Sequence, residues 1–127
     1  MKLILLTYIL LNSALVISQV AEFDFLDKTT VKWDKTPEGE LLEHYFVFKN
    51  TGDIPLKIHE AKVTCPCTKV SFPEKPTLPN QKDSILVTFD TNEKFYWQNR
   101  TVEILANTTK NEKLKLKVYV IPKDEMD

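Results

Sequence analysis

Lys113-Leu114-Lys115-Leu116-Lys117-Val118-Tyr119-Val120-Ile121 is the stretch on which the fold class turns. Leu114, Leu116, Val118 and Val120 fall on one side of an extended chain, and Lys115, Lys117 and Tyr119 on the other. Side chains of a strand alternate between faces. The pattern therefore describes a half-buried strand in an antiparallel sheet. Working outward, Thr101 to Ala106 repeats it with Val102, Ile104 and Ala106, and Asp83 to Phe89 with Ile85, Val87 and Phe89. Leu41 to Lys49 is a further strong strand, closed by the turn formers Asn50-Thr51-Gly52-Asp53. Ile54 to Thr64 reads as the next extended run, and Glu22 to Phe25 and Thr29 to Trp33 as short pieces before it. Pro37-Glu38-Gly39-Glu40 reads as a turn, and Pro73, Pro76 and Pro79 exclude a helix. Nowhere does an apolar i, i+3, i+4 pattern persist for three turns.

These runs predict an all-β chain, an immunoglobulin-like antiparallel β-sandwich of about seven strands. Its core is Phe46, Phe48, Ile85, Val87, Phe89, Val102, Ile104, Leu116 and Val118. The Cys…Trp…Cys signature of antibody domains is absent. Only Gly39 and Gly52 are available for positive-φ turns, so Asn50, Asn80, Asn92, Asn99, Asn107 and Asn111 stand in at strand ends.

The chain has 127 residues, enough for one domain, with 43% hydrophobic, 10% aromatic and 28% charged content. That is too apolar for a disordered chain. A net charge of −1 is too near neutral for an electrostatic nucleic-acid or membrane-surface binder. Two cysteines are too few for a disulfide scaffold. Residues 1–18 join Lys2, an apolar run from Leu3, and small residues near Ser18. They predict a signal peptide, leaving 19–127 as the domain. Val16 and Ser18 favour cleavage after Ser18, with Ala21 as the alternative. No second apolar segment follows, so no membrane span is expected after removal. A periplasmic or secreted location follows.

Three motifs then carry a resemblance. His44 to Ile58 (HYFVFKNTGDIPLKI) is similar to a strand, "NTG" turn and "PL-I" strand. Cys65-Pro66-Cys67-Thr68 resembles a Cys-Gly-Cys-Thr motif, and Leu78-Pro79-Asn80 through Asp90-Thr91 a "PG…I-V-F-D-T" strand. In order and spacing they resemble the DUF1573 family of exported, mostly bacterial Ig-like domains, related to ciliary Hydin and sperm-protein-like modules. The match runs from about Phe23 to Ile121. The resemblance implies a fold and no settled activity. Asn80 replaces a glycine at a turn, and Pro66 replaces another and stiffens the Cys-X-Cys segment. The sequons Asn99-Arg100-Thr101 and Asn107-Thr108-Thr109 count for little in a bacterial setting.

Cys65 and Cys67 are the redox candidates. If their segment is extended, the two Cα atoms stand about 6.6 Å apart. That is the upper end of disulfide geometry, and Pro66 opposes tightening. The same pair is a weak metal candidate for copper or zinc, two ligands being half a tetrahedral site. His59 and His44 cannot join them without a bend or a neighbouring strand. Alternatively the two thiols simply pack. His44 shares a face with Leu42, Phe46 and Phe48, which reads as a core-edge position with no acid–base partner. Phe95, Tyr96 and Trp97 are the binding candidates, since consecutive aromatics cannot all face one core. The alternative is that Phe95 and Trp97 cap the core and only Tyr96 lies outside. Lys113, Lys115 and Lys117 make a basic stripe that would block edge-to-edge pairing if the last strand is an edge.

The expectation is a non-enzyme without cofactor: an exported Ig-like domain that binds another exported protein through loops or an edge strand. It has no nucleic-acid partner. The rival is a thiol-redox or copper- or zinc-handling protein centred on Cys65 and Cys67. A third idea is a carbohydrate-binding module using Phe95, Tyr96 and Trp97.

Overall fold

Alternating side chains can only be satisfied by two sheets facing each other, and the computed structural model, which describes residues 19–126, has that form. Its strands are β1 (Phe23–Phe25), β2 (Thr30–Lys32), β3 (Thr36–Pro37), β4 (Leu41–Asn50), β5 (Ile58–Lys62), β6 (Thr68–Ser71), β7 (Lys82–Asp90), β8 (Tyr96–Ala106) and β9 (Glu112–Ile121). A short 3₁₀ turn follows at Lys123–Glu125. One sheet has the order β1-β4-β7-β6, the other β2-β9-β8-β5 with β3 also on β9. Residues 1–18, expected to be a signal peptide, lie outside the described residues. Among the described residues no helix is long and apolar enough to cross a membrane.

Nine strands replace the expected seven because two short ones, β3 and β6, escaped the pattern. β1 pairs antiparallel with β4. The chain then crosses to the other sheet, where β2 and β3 run parallel to β9. β3 ends at Pro37, where the expected Pro37–Glu40 turn begins, closed by Glu40 N–H on the Pro37 carbonyl (3.5 Å). β6 was unforeseen, and the run from Ile54 contracts to Ile58–Lys62, with Leu56 bridging Thr77 instead. All nine core residues named from the sequence are buried, joined by Leu56, Leu114 and Val120 among others.

The Asn50-Thr51-Gly52 turn is built differently from the expectation. Asn50 is completely buried and is not among the residues with positive φ. Its Nδ2 donates to the carbonyls of Ile54 (2.8 Å) and Thr77 (3.0 Å). Its Oδ1 accepts from the N–H groups of Gly52 (2.9 Å) and Glu22 (3.3 Å). Gly52 serves close approach: a Cβ there would lie 2.1 Å from the Val20 carbonyl oxygen. Asn80 does take a left-handed φ of 67°, in a turn closed by Gln81 N–H on the Leu78 carbonyl (3.0 Å). Thr91 is also fully buried. It accepts from Gly39 N–H and donates to the Glu40 carbonyl (2.6 Å), fixing the entry to β4.

Candidate functional site

β4 is ten residues long, and its two sides are treated unequally. On one side β7 pairs with it from Leu41 to Lys49. On the other, β1 covers only Phe48 to Asn50. The flanking bonds fix which groups point where. Leu26 N–H donates to the Val47 carbonyl (3.0 Å) and Thr51 N–H to the Glu22 carbonyl (3.1 Å). Thr91 N–H donates to the Glu40 carbonyl (3.1 Å) and Asn50 N–H to the Gln81 carbonyl (3.0 Å) on the β7 side. Backbone groups of a strand alternate in direction. Glu40, Leu42, His44 and Phe46 therefore bond toward β7, while Leu41, Glu43 and Tyr45 direct N–H and C=O to the side that β1 has already left. After Leu26 the chain departs for β9.

Among the described residues the result is an open ladder from Leu41 to Tyr45, ended by the Leu26–Val47 bond, with a groove beside it. Phe25, Leu26, Asp27, Lys28, His44 and Tyr45 lie along a cavity of about 280 Å³. His44 is half-buried and packs edge-on against Phe46 (4.6 Å between ring centres) and Trp33 (6.4 Å). The core-edge reading of this histidine agrees with its place. Leu41 and Tyr45 are 60% and 58% exposed, and Val47 39%. Natural edges are usually blunted by charge, proline, bulges or shortness. Here Glu43 is the single charge between two large apolar side chains.

Most other borders are blunted, although β8 too is left uncovered by β5 from Tyr96 to Val102. β5 carries a bulge between Ile58 and Glu60, with Glu60 and Lys62 charged. β6 has four residues, Lys69 among them. β2 and β3 are fragments. Beyond the reach of β5, the Arg100 guanidinium donates to the Asn99 carbonyl (2.8 Å) and to Gln98 Oε1 (2.8 Å), over the Phe89 ring.

Cys65 and Cys67 form a disulfide, against the packed-thiol expectation. The segment is not extended: Thr68 N–H donates to the Cys65 carbonyl (3.1 Å), closing a turn. The two Cα atoms are 5.1 Å apart. Pro66, expected to oppose tightening, occupies the second turn position, where its fixed φ favours the turn. Disulfide sulfurs are not thiolates, so the bonded pair offers a metal no soft ligand. Among the described residues no group of three or more His, Cys, Asp or Glu could hold a metal ion. His59 is exposed on β5, in the other sheet.

Phe95, Tyr96 and Trp97 are all exposed, at 49%, 46% and 60%. Parity fails here because Tyr96 has φ 63°, which breaks the pleat between Phe95 and Trp97. Tyr96 and Trp97 open β8 rather than lying between strands. The Tyr96 hydroxyl donates to the Glu125 carboxylate, and that bond and charge raise the phenol above its ordinary pKa.

The family model described as "Protein of unknown function (DUF1573)" matches residues 25–120. The chain belongs to the DUF1573 family. No curated protein sequence matches it. Among solved structures, this DUF1573 chain is similar to a protein of unknown function from Porphyromonas gingivalis W83. The TM-score is 0.70 at 17% identity, over 85% of this chain and 50% of that one. This chain thus spans half the length of that relative. It also resembles the ASH/PapD-like domain 7 of human CEP192, with a TM-score of 0.63 at 13% identity over 83% and 87% of the two chains. The periplasmic chaperone SfaE follows, with a TM-score of 0.53 at 12% identity over 81% and 58%. Likeness at these identities establishes the sandwich fold.

Proposed function

We propose that this DUF1573 chain is an exported, non-catalytic protein-binding module that captures an extended segment of another exported protein by strand addition to β4. The observation that carries this reading is the Leu41–Tyr45 ladder, unpaired among the described residues and flanked by exposed Leu41 and Tyr45. Strand addition draws affinity from main-chain hydrogen bonds and specificity from pockets for alternate side chains. The incoming segment continues the line of β1. Its inward side chains enter the groove by His44, its outward ones lie beside Leu41 and Tyr45, and a basic residue faces Glu43. The leader-like residues 1–18 support export. The test is a photo-crosslinking side chain at position 45 in exported material. A discrete adduct that disappears in Glu43→Pro, which removes an edge N–H, is expected. Adducts indifferent to that proline would refute the reading.

A second reading, thiol–disulfide exchange at Cys65–Cys67, is favoured by the disulfide itself, whose sulfur-bearing residues are half-buried. An external thiolate would form a mixed disulfide with one sulfur and release the other as thiolate. Copper or zinc handling would require that reduced state. Thiol counting and metal analysis, before and after mild reductant, distinguish this from strand capture: two slow thiols without metal would leave the binding reading alone.

A further inference from the structure

The near-neutral total charge conceals a segregated one. Lys113, Lys115 and Lys117 project from the face of β9 opposite its buried apolar residues. As an edge guard such a stripe would be self-explanatory, but β9 is an interior strand, with β8 on one side and β2 and β3 on the other. The topology widens the stripe into a field. Parallel pairing sets Lys32 in register with Lys117, and like charges so placed are destabilising. Lys32 Nζ lies 5.6 Å from the centre of the Trp97 ring and Lys35 Nζ 5.5 Å from that of Tyr119. On the outer sides of β8 and β9 Glu103 is in register with Lys113 at the end away from the rings, and at the ring end the Glu125 carboxylate is engaged by the Tyr96 hydroxyl. Asp34, exposed between Lys32 and Lys35, lies on the connection to β3.

Trp97 and Tyr119 are directly opposite each other across β8 and β9, their rings 5.3 Å apart. We propose that this face docks on an anionic lipid surface. A sheet face presents its lysines as a plane, about 7 Å apart along β9, and a plane of cations complements a plane of lipid phosphates. Tryptophan and tyrosine are the side chains that settle at the lipid–water boundary. Lysine stems can lie along the rings while their ammonium groups reach phosphate. A field of lysines held together at a cost, with an exposed indole at its rim, gains from anions supplied from outside. Docking leaves the β4 ladder free, since that strand belongs to the opposite sheet.

The test is sedimentation of the full exported chain with vesicles of equal parts phosphatidylglycerol and phosphatidylcholine, against phosphatidylcholine alone. Binding to the anionic vesicles only, weakening with salt, is expected. Each lysine near such a surface contributes about fivefold in affinity, so Lys115→Gln/Lys117→Gln should weaken binding about 30-fold. Lys69→Gln/Lys82→Gln, the same charge change on the first sheet, should leave most of it. In a Trp33→Phe background, emission from Trp97 should shift to the blue on binding. Equal binding to both vesicles, equal loss in both double variants, an unmoved Trp97 spectrum, or binding to a soluble acidic polysaccharide but not to vesicles would each overturn the proposal. Retained circular dichroism in every variant keeps the comparison meaningful.

Discussion

Asn50 shows how much one side chain can organise. Its amide satisfies the carbonyls of Ile54 and Thr77 and the N–H groups of Gly52 and Glu22, so it ties β1, the turn and the segment before β7 together. Asn50→Ala removes those partners inside a fully buried site. The expected cost is about 3 kcal/mol or more, since each buried group left unsatisfied costs roughly 1–3 kcal/mol. Urea unfolding measures it, and a loss under about 1 kcal/mol would mean water replaces the amide. The sequence placed this asparagine at a turn but could not reveal its burial, because polar turn residues ordinarily face solvent. The importance of Gly52 was equally hidden: it depends on Val20 passing overhead, a contact between distant positions.

Among elements, β4, β7 and β9 were legible because large apolar residues recur at alternate positions over most of β9, from Ile85 to Phe89 in β7 and at Leu42, Phe46 and Phe48 in β4. β8 was half legible: its inward positions run Gln98, Arg100, Val102 and Ile104, so the apolar signal starts late although the strand begins at Tyr96. β6 offers only Val70 as a strong apolar signal, between a cysteine turn and Pro73. The open ladder was illegible, since it depends on where β1 stops. It predicts a contrast between neighbouring prolines. Glu43→Pro removes an N–H that points into the open side, a position proline tolerates, and should cost under about 1.5 kcal/mol. His44→Pro breaks a bond to β7 and should cost about 3 kcal/mol or more. Equal losses in urea melts would show that both sides of β4 are occupied. The disulfide spans two positions, so its loop-closure contribution is small. Cys65→Ser/Cys67→Ser should lower stability by about 1–2 kcal/mol on the chain-entropy account. A loss above about 3 kcal/mol in the same melts would point to packing around the turn that the serines cannot keep.

At the scale of the whole molecule, the N-terminal stretch is part of the fold. Asp53 N–H donates to the Val20 carbonyl (2.7 Å), and Ala21 is buried and bridges Thr108. Processing after Ser18 preserves both contacts, whereas processing after Ala21 deletes them. N-terminal sequencing of exported material is expected to begin at Gln19, and a start at Glu22 would contradict this. The immunoglobulin-like architecture followed from strand spacing and the family motifs. The distribution of charge and open edges over its surfaces did not, because both depend on which strands become neighbours. The central claim is that the Leu41–Tyr45 border of β4 is left open for another chain. Amide hydrogen exchange along β4 tests it most directly. In the free protein Glu43 and Tyr45 should exchange fast while Leu42 and His44 are protected, and the crosslinked partner should slow Glu43 and Tyr45 selectively. Uniform protection from Leu41 to Val47 in the free protein, or a partner that leaves Glu43 and Tyr45 unchanged, would contradict it.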